Sequence, residues 1–156
     1  MKLVKQNLNS NISQKLFYLL VLILFLRVDL VFQNNTPTGG DMGAHIVAID
    51  TFIKDFMPNF QINGWSNDWF AGYPLYYFYF PLPAIITFFL NLVFPFGIAF
   101  KIMVVLSIIF VVYSIEKLMR KTSNQFSFFG ASAGLFYVFT ESFTIYGGNL
   151  SSVLAG

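Results

Sequence analysis

The sequence predicts an all-α integral membrane protein: a transmembrane helix bundle with an outside first loop that contains an amphipathic interfacial helix. Three observations carry this expectation. The 156 residues are 56% hydrophobic and only 10% charged. A soluble domain carries about 25% charged residues, so a water-facing surface built from this composition would be largely apolar. The apolar residues gather into runs near 16–32, 82–94, 98–118 and 126–146. Between the first two runs, residues 34–80 form a polar loop with Asp41, Asp50, Asp55 and Asp68 against a single Lys54.

The N-terminal residues carry Lys2, Lys5 and Lys15, which by the positive-inside rule keeps this end in the cytoplasm. Leu16–Phe32 follows without a small-residue cleavage pattern, so it reads as a retained first span rather than a signal peptide. It lies at the short end of the ~17–25 residues that cross a bilayer. Arg27 and Asp29 fall in its last turns. Arg27 reads either as a side chain snorkelling to the headgroups or as a charge facing an anionic ligand. The chain stops without a closing charge cluster, so 1–156 is expected to be the N-terminal part of one membrane domain. The remaining helices of the same longer chain would then be its partner, together with membrane lipid.

The acidic loop suits the outer face. Within it, Ile46, Ile49, Phe52, Ile53, Phe56 and Met57 recur at helical spacing. Asp50, Thr51, Lys54 and Asp55 fall opposite, and Pro58 ends the pattern. An amphipathic helix after a span is expected to lie flat on the membrane surface. His45 lies one turn beyond Asp41, and the two share an edge turned away from bulk water. Beyond the loop, Pro95 and Gly97 break the second apolar stretch, which favours two short spans, 82–94 and 98–118. The cluster Glu116, Lys117, Arg120 and Lys121 belongs in the cytoplasm, which favours a single crossing instead. The last run holds Gly130, Ser132, Ala133 and Gly134, small residues that let helices approach closely in lipid.

The chain has no Cys and one His, which excludes a disulfide framework and a thiolate metal site. No nucleic acid is expected as a partner. Two loop motifs invite chemistry. Thr36-Pro37-Thr38-Gly39-Gly40-Asp41-Met42-Gly43-Ala44-His45 makes a turn and starts a helix. Asp41 reads there as an ordinary N-cap or as a functional carboxylate, and His45 as a packed histidine or a ligand. Gly64-Trp65-Ser66-Asn67-Asp68-Trp69-Phe70-Ala71-Gly72-Tyr73-Pro74 sets two Trp around an Asn-Asp pair. Aromatic faces beside short polar groups suit a sugar or a cationic headgroup. The same residues also suit an interfacial aromatic belt, which Tyr76-Tyr77-Phe78-Tyr79-Phe80-Pro81-Leu82-Pro83 would continue.

Gly39-Gly40-Asp41 with His45, the helix ending at Pro58, the Gly64–Pro74 motif and Tyr79-Phe80-Pro81-Leu82-Pro83 together resemble a family of large prokaryotic membrane proteins. These are labelled "6-pyruvoyl-tetrahydropterin synthase-related", although nothing here resembles the soluble pterin enzyme with its His-ligated zinc. The architecture is similar to that of GT-C membrane glycosyltransferases, which include oligosaccharyltransferases, protein mannosyltransferases and arabinosyltransferases. The resemblance covers about residues 16–156. It implies a sugar donor on a polyprenyl-phosphate lipid at the outer membrane face. It also implies that Asp41 deprotonates the acceptor or helps hold a metal, a divalent ion being the one cofactor it admits. His45 and Asp68 would then position substrate. Trp65, Trp69, Tyr73 and Tyr79 would line the sugar and lipid entrance. Arg27 would meet the lipid phosphate, whose oxygens suit a guanidinium. Many GT-C enzymes carry paired acidic residues in this loop, whereas here the residue after Asp41 that could serve is His45. Two other expectations stand beside this one: a transporter or binding protein for lipid-linked glycans, and a structural membrane subunit.

Overall fold

A computed structural model of the chain describes residues 12, 16–21, 23, 24, 28–38, 41–69, 71–123, 130 and 132–136. Residues 16–21, 23 and 24 are helical, as is the short α1 (Val28–Val31). The end of α1 is tied to a distant helix. Lys101 Nζ donates to Leu30 O at 2.7 Å, Gln33 O at 2.5 Å and the Asn35 side-chain oxygen at 2.8 Å. A cation here suits the negative end of a helix and the turn that follows it.

The loop folds into a layer. Helix α2 (Met42–Thr51) runs into a π turn (Phe52–Phe56) and then a 3₁₀ turn (Met57–Asn59). Pro58 in the 3₁₀ turn and left-handed Phe60 end the helical path. Strands β1 (Gly64–Ser66) and β2 (Tyr73–Leu75) follow as an antiparallel hairpin, with Gly64 opposite Leu75, Trp65 opposite Pro74 and Ser66 opposite Tyr73. A ladder of two edge strands tolerates Pro74, which has no N–H to give. Pro81 and Pro83 open α3 (Leu82–Asn91), and a turn over residues 92–95 leads into α4 (Phe96–Ser123).

One core joins these elements. Met42, Ile49, Phe52 and Phe56 pack with Leu75 of β2, Ala84 of α3, and Phe100 and Met103 of α4. Ile46, Ile53 and Met57 close around it, half-buried. A second, smaller cluster holds Ile108 and Val112 of α4 with Leu135. There the chain comes very close to α4: a Cβ on Gly130 would lie 2.8 Å from Glu116 Cα, and one on Gly134 would lie 3.0 Å from Val112 Cα. Tyr18 and Ser132 also share a side-chain hydrogen bond of 3.2 Å.

This fold corrects the expected all-α multi-pass bundle. The chain is mostly helical but contains an antiparallel sheet. Among the described residues, one helix, Phe96–Met119 within α4, is long and apolar enough to cross a membrane. The expected span 82–94 is the ten-residue α3, ~15 Å long at a rise of ~1.5 Å per residue, against a hydrocarbon core of ~30 Å. Its buried Ala84 and Thr87 face protein. The expected span 16–32 is described only in part, and 126–146 lies outside the described residues except for 130 and 132–136. The interfacial helix is also revised. The apolar face of α2 and its π turn packs on α3, α4 and Leu75 instead of lying on lipid. The hairpin covers another side, where Thr51 is buried.

Candidate functional site

The hairpin is pinned to α2 by one carboxylate. The Thr51 hydroxyl makes a short hydrogen bond to Asp68 Oδ2. Ser66 Oγ donates to the same oxygen at 2.9 Å, and the Asp68 N–H lies 3.3 Å from Ser66 Oγ. Thr51 and Ser66 are buried, while Asp68 is exposed. The Thr51 hydroxyl, then that of Ser66, and then the charge of Lys54 hold Asp68 below the usual carboxylate range. Asp68 is therefore an ionised acceptor at neutral pH. Lys54 pairs with Asp50 at 2.6 Å on the open face of the helix.

The aromatic residues of the second motif gather on this pin. Gly72 has φ +94°, and a Cβ there would collide with Trp65 Nε1 and Cε2. Only glycine lets the chain turn back against the indole at this point. The Gly72 N–H donates to Trp69 O at 2.8 Å. Trp69 and Tyr73 lie with ring centroids 6.3 Å apart and planes tilted by 40°. Trp65 and Trp69 remain exposed, and Tyr73 is half-buried. Burial, and secondarily the Asp68 charge, push the Tyr73 phenol above its ordinary value, so it stays a hydrogen-bond donor. Tyr76 is held by an edge contact with Phe52, ring centroids 5.4 Å apart at 89°.

The structure thus brings Asp68, Trp65, Trp69 and Tyr73 together. It does not bring Asp41 and His45 to them. Asp41 starts α2 and Thr51 ends it, a separation of ~15 Å along the axis. Asp41 occupies the N-cap position, but its side chain makes no capping hydrogen bond. Only its carbonyl serves the helix, accepting from Ala44 N at 2.9 Å and His45 N at 3.3 Å. Both Asp41 and His45 are exposed, so their shared edge is not turned into the protein. Tyr79 is exposed on the segment between β2 and α3. Arg27 lies outside the described residues.

Sequence reasoning missed Thr51 and Ser66. The Ser66-x-Asp68 spacing did carry a local signal, since a Ser hydroxyl readily meets the N–H two residues on. Thr51 carried none, because its burial depends on a hairpin that arrives from later in the chain. Among the described residues, no three His, Asp, Glu or Cys side chains gather as metal ligands. Asp41 and His45 offer two groups one turn apart, fewer than a protein-built divalent site uses. No protein family, curated protein or solved structure matches this chain.

Proposed function

We propose that the chain binds the glycan headgroup of a polyprenyl-phosphate lipid at the outer surface of a membrane. The observation that carries this reading is the hairpin itself. Two Trp stand exposed on a tip fixed by Asp68, Thr51, Ser66 and Gly72. An indole held still and left uncovered offers a flat face for the apolar side of a sugar ring. Tyr73 adds a donor and Asp68 an acceptor at the same edge. In this reading Phe96–Met119 crosses the membrane, with Lys117, Arg120 and Lys121 on the cytoplasmic side. The folded layer at the start of α4 then faces outward.

The chain has only two Trp, so its intrinsic fluorescence reports this site. The test titrates the full chain in phosphatidylcholine vesicles with polyprenyl-phosphate sugar and with bare polyprenyl phosphate. Binding that needs the sugar, and that falls by tenfold or more (about 1.4 kcal/mol) in Trp69→Ala, supports the reading. Equal binding of the bare lipid overturns it.

A second reading adds transfer of the sugar, and Asp41 favours it. Its carboxylate is not used as a helix cap and is available to a substrate. Asp41 lies ~15 Å along α2 from the pin at Thr51, so in this reading the hairpin holds a distal part of the glycan and the reacting sugar lies at the Asp41 end. There Asp41 as general base takes the proton of an acceptor hydroxyl. The acceptor oxygen would bond to the anomeric carbon as the carrier phosphate leaves with its electron pair. Asp41→Asn then abolishes transfer in vesicles while sugar-dependent binding persists. Undiminished transfer by the variant removes Asp41 from the chemistry.

A further inference from the structure

The longest run of exposed apolar side chains in the layer is not the Trp hairpin. It is the segment that follows it. Phe78 is 88% exposed and Phe80 83%, and Tyr77, Tyr79 and Leu82 are exposed beside them. Contiguous exposure of this kind marks an interaction surface. Its chemistry narrows the occupant, because no charged residue stands between Asp68 and Lys101. A protein partner would find no charge there to set orientation, whereas a bilayer needs none. Tyr77 and Tyr79 alternate with Phe78 and Phe80, and Tyr is a residue enriched where hydrocarbon meets headgroups.

The position in the fold points the same way. Ala84, in the first turn of α3, shares the core with Phe100 and Met103 of α4. Residues 77–82 therefore lead into a helix start that packs beside the early turns of α4. The character of α4 changes beyond these turns. Ala99, Phe100 and Met103 are buried, whereas Leu106, Phe110, Tyr113 and Leu118 are exposed. From Leu106 onward α4 keeps one buried face, with Ile108 and Val112 in the second cluster, and presents apolar side chains outward on the other. The aromatic segment is thus continuous with the exposed face of the membrane-length helix.

We infer that Tyr77–Leu82 is a second membrane contact, a shallow anchor that sits in the outer lipid interface beside α4. It holds the folded layer at headgroup level, where a lipid-borne ligand would be met. The inference does not depend on the sugar reading, and its test does not use a glycan.

The chain has no Cys, so single nitroxide labels can be placed at Phe78→Cys and Phe80→Cys, with Asn59→Cys as an exposed comparison on the 3₁₀ turn. All three side chains are exposed, and circular dichroism checks that the fold is kept. The full chain in phosphatidylcholine vesicles is then measured by electron paramagnetic resonance with oxygen and with a water-soluble nickel chelate. Oxygen collisions exceeding nickel collisions several-fold at 78 and 80, with the reverse at 59, is the expected result. Nickel-dominated collisions at 78 and 80 place the segment in water and overturn the inference. Poor access to both reagents means that a protein or a second copy covers it, and also overturns the inference.

Discussion

Asp68 works as a bracket between two parts of the chain that are not neighbours in sequence. Its Oδ2 accepts from a hydroxyl of α2 and from a hydroxyl of β1, both buried. Asp68→Asn keeps one acceptor oxygen but removes the charge that strengthens both hydroxyl bonds, so it should lower the unfolding temperature at neutral pH. The pH dependence has a definite sign. The folded state holds this carboxylate below its ordinary range. The stability it contributes is therefore complete above the unfolded carboxylate value and is lost as pH falls through the folded one. Unfolding curves of wild type and Asp68→Asn should converge on acidification. A gap that stays constant with pH would show that the charge plays no part. Asp41 is the opposite case. Its side chain makes no cap bond, so Asp41→Asn should leave stability within about 0.5 kcal/mol, the range of an ordinary surface change. At this scale the sequence was half legible. Ser66 announces Asp68 from two residues away, but the hydroxyl of Thr51 reaches it across 17 positions, and nothing local encodes that.

At the scale of elements, the path from α2 through its π turn is the centre of the layer. Phe52 is fully buried and touches Tyr76 edge-on, with α3 and α4 behind it. Phe52→Ala should cost about 3–5 kcal/mol in reversible unfolding, the usual cost of emptying a buried aromatic site. A loss under 1 kcal/mol would mean that the layer collapses around the gap. The hairpin in turn depends on Gly72. Ala there must hold a positive φ, worth about 1–2 kcal/mol, and its methyl would displace the Trp65 indole. Gly72→Ala should therefore destabilise the chain and shift its Trp emission, while Ala71→Gly beside it should leave the emission unchanged. The start of the helical path after Asp41 and its end near Pro58 were readable, but its change to a π turn at Phe52 was not. Nor were the strands. Each spans three residues, and their Trp, Tyr and Pro read equally well as an aromatic belt.

At the scale of the whole molecule, the separation of α3 from α4 matters most. Hydropathy counts apolar residues without saying what covers them. Both stretches are apolar enough to suggest membrane, yet α3 is ten residues and gives its buried face to α4 and the core. The long helix differs along its length. Its 28 residues extend ~42 Å at ~1.5 Å each, more than a ~30 Å core requires, and the folded layer covers the surplus at its start. Lys117 and Lys121 are exposed at the other end, where the Thr122 hydroxyl donates back to Leu118 O at 2.9 Å. If α4 crosses with its basic end in the cytoplasm, Asn59 and Thr122 lie on opposite sides of the bilayer. In sealed right-side-out vesicles, a membrane-impermeant maleimide should label Asn59→Cys at once and Thr122→Cys only after permeabilisation. Labelling of both from outside would mean that α4 lies along the surface with the layer. Protection of Asn59 together with exposure of Thr122 would reverse the orientation, and with it the face on which any lipid-linked glycan must be sought.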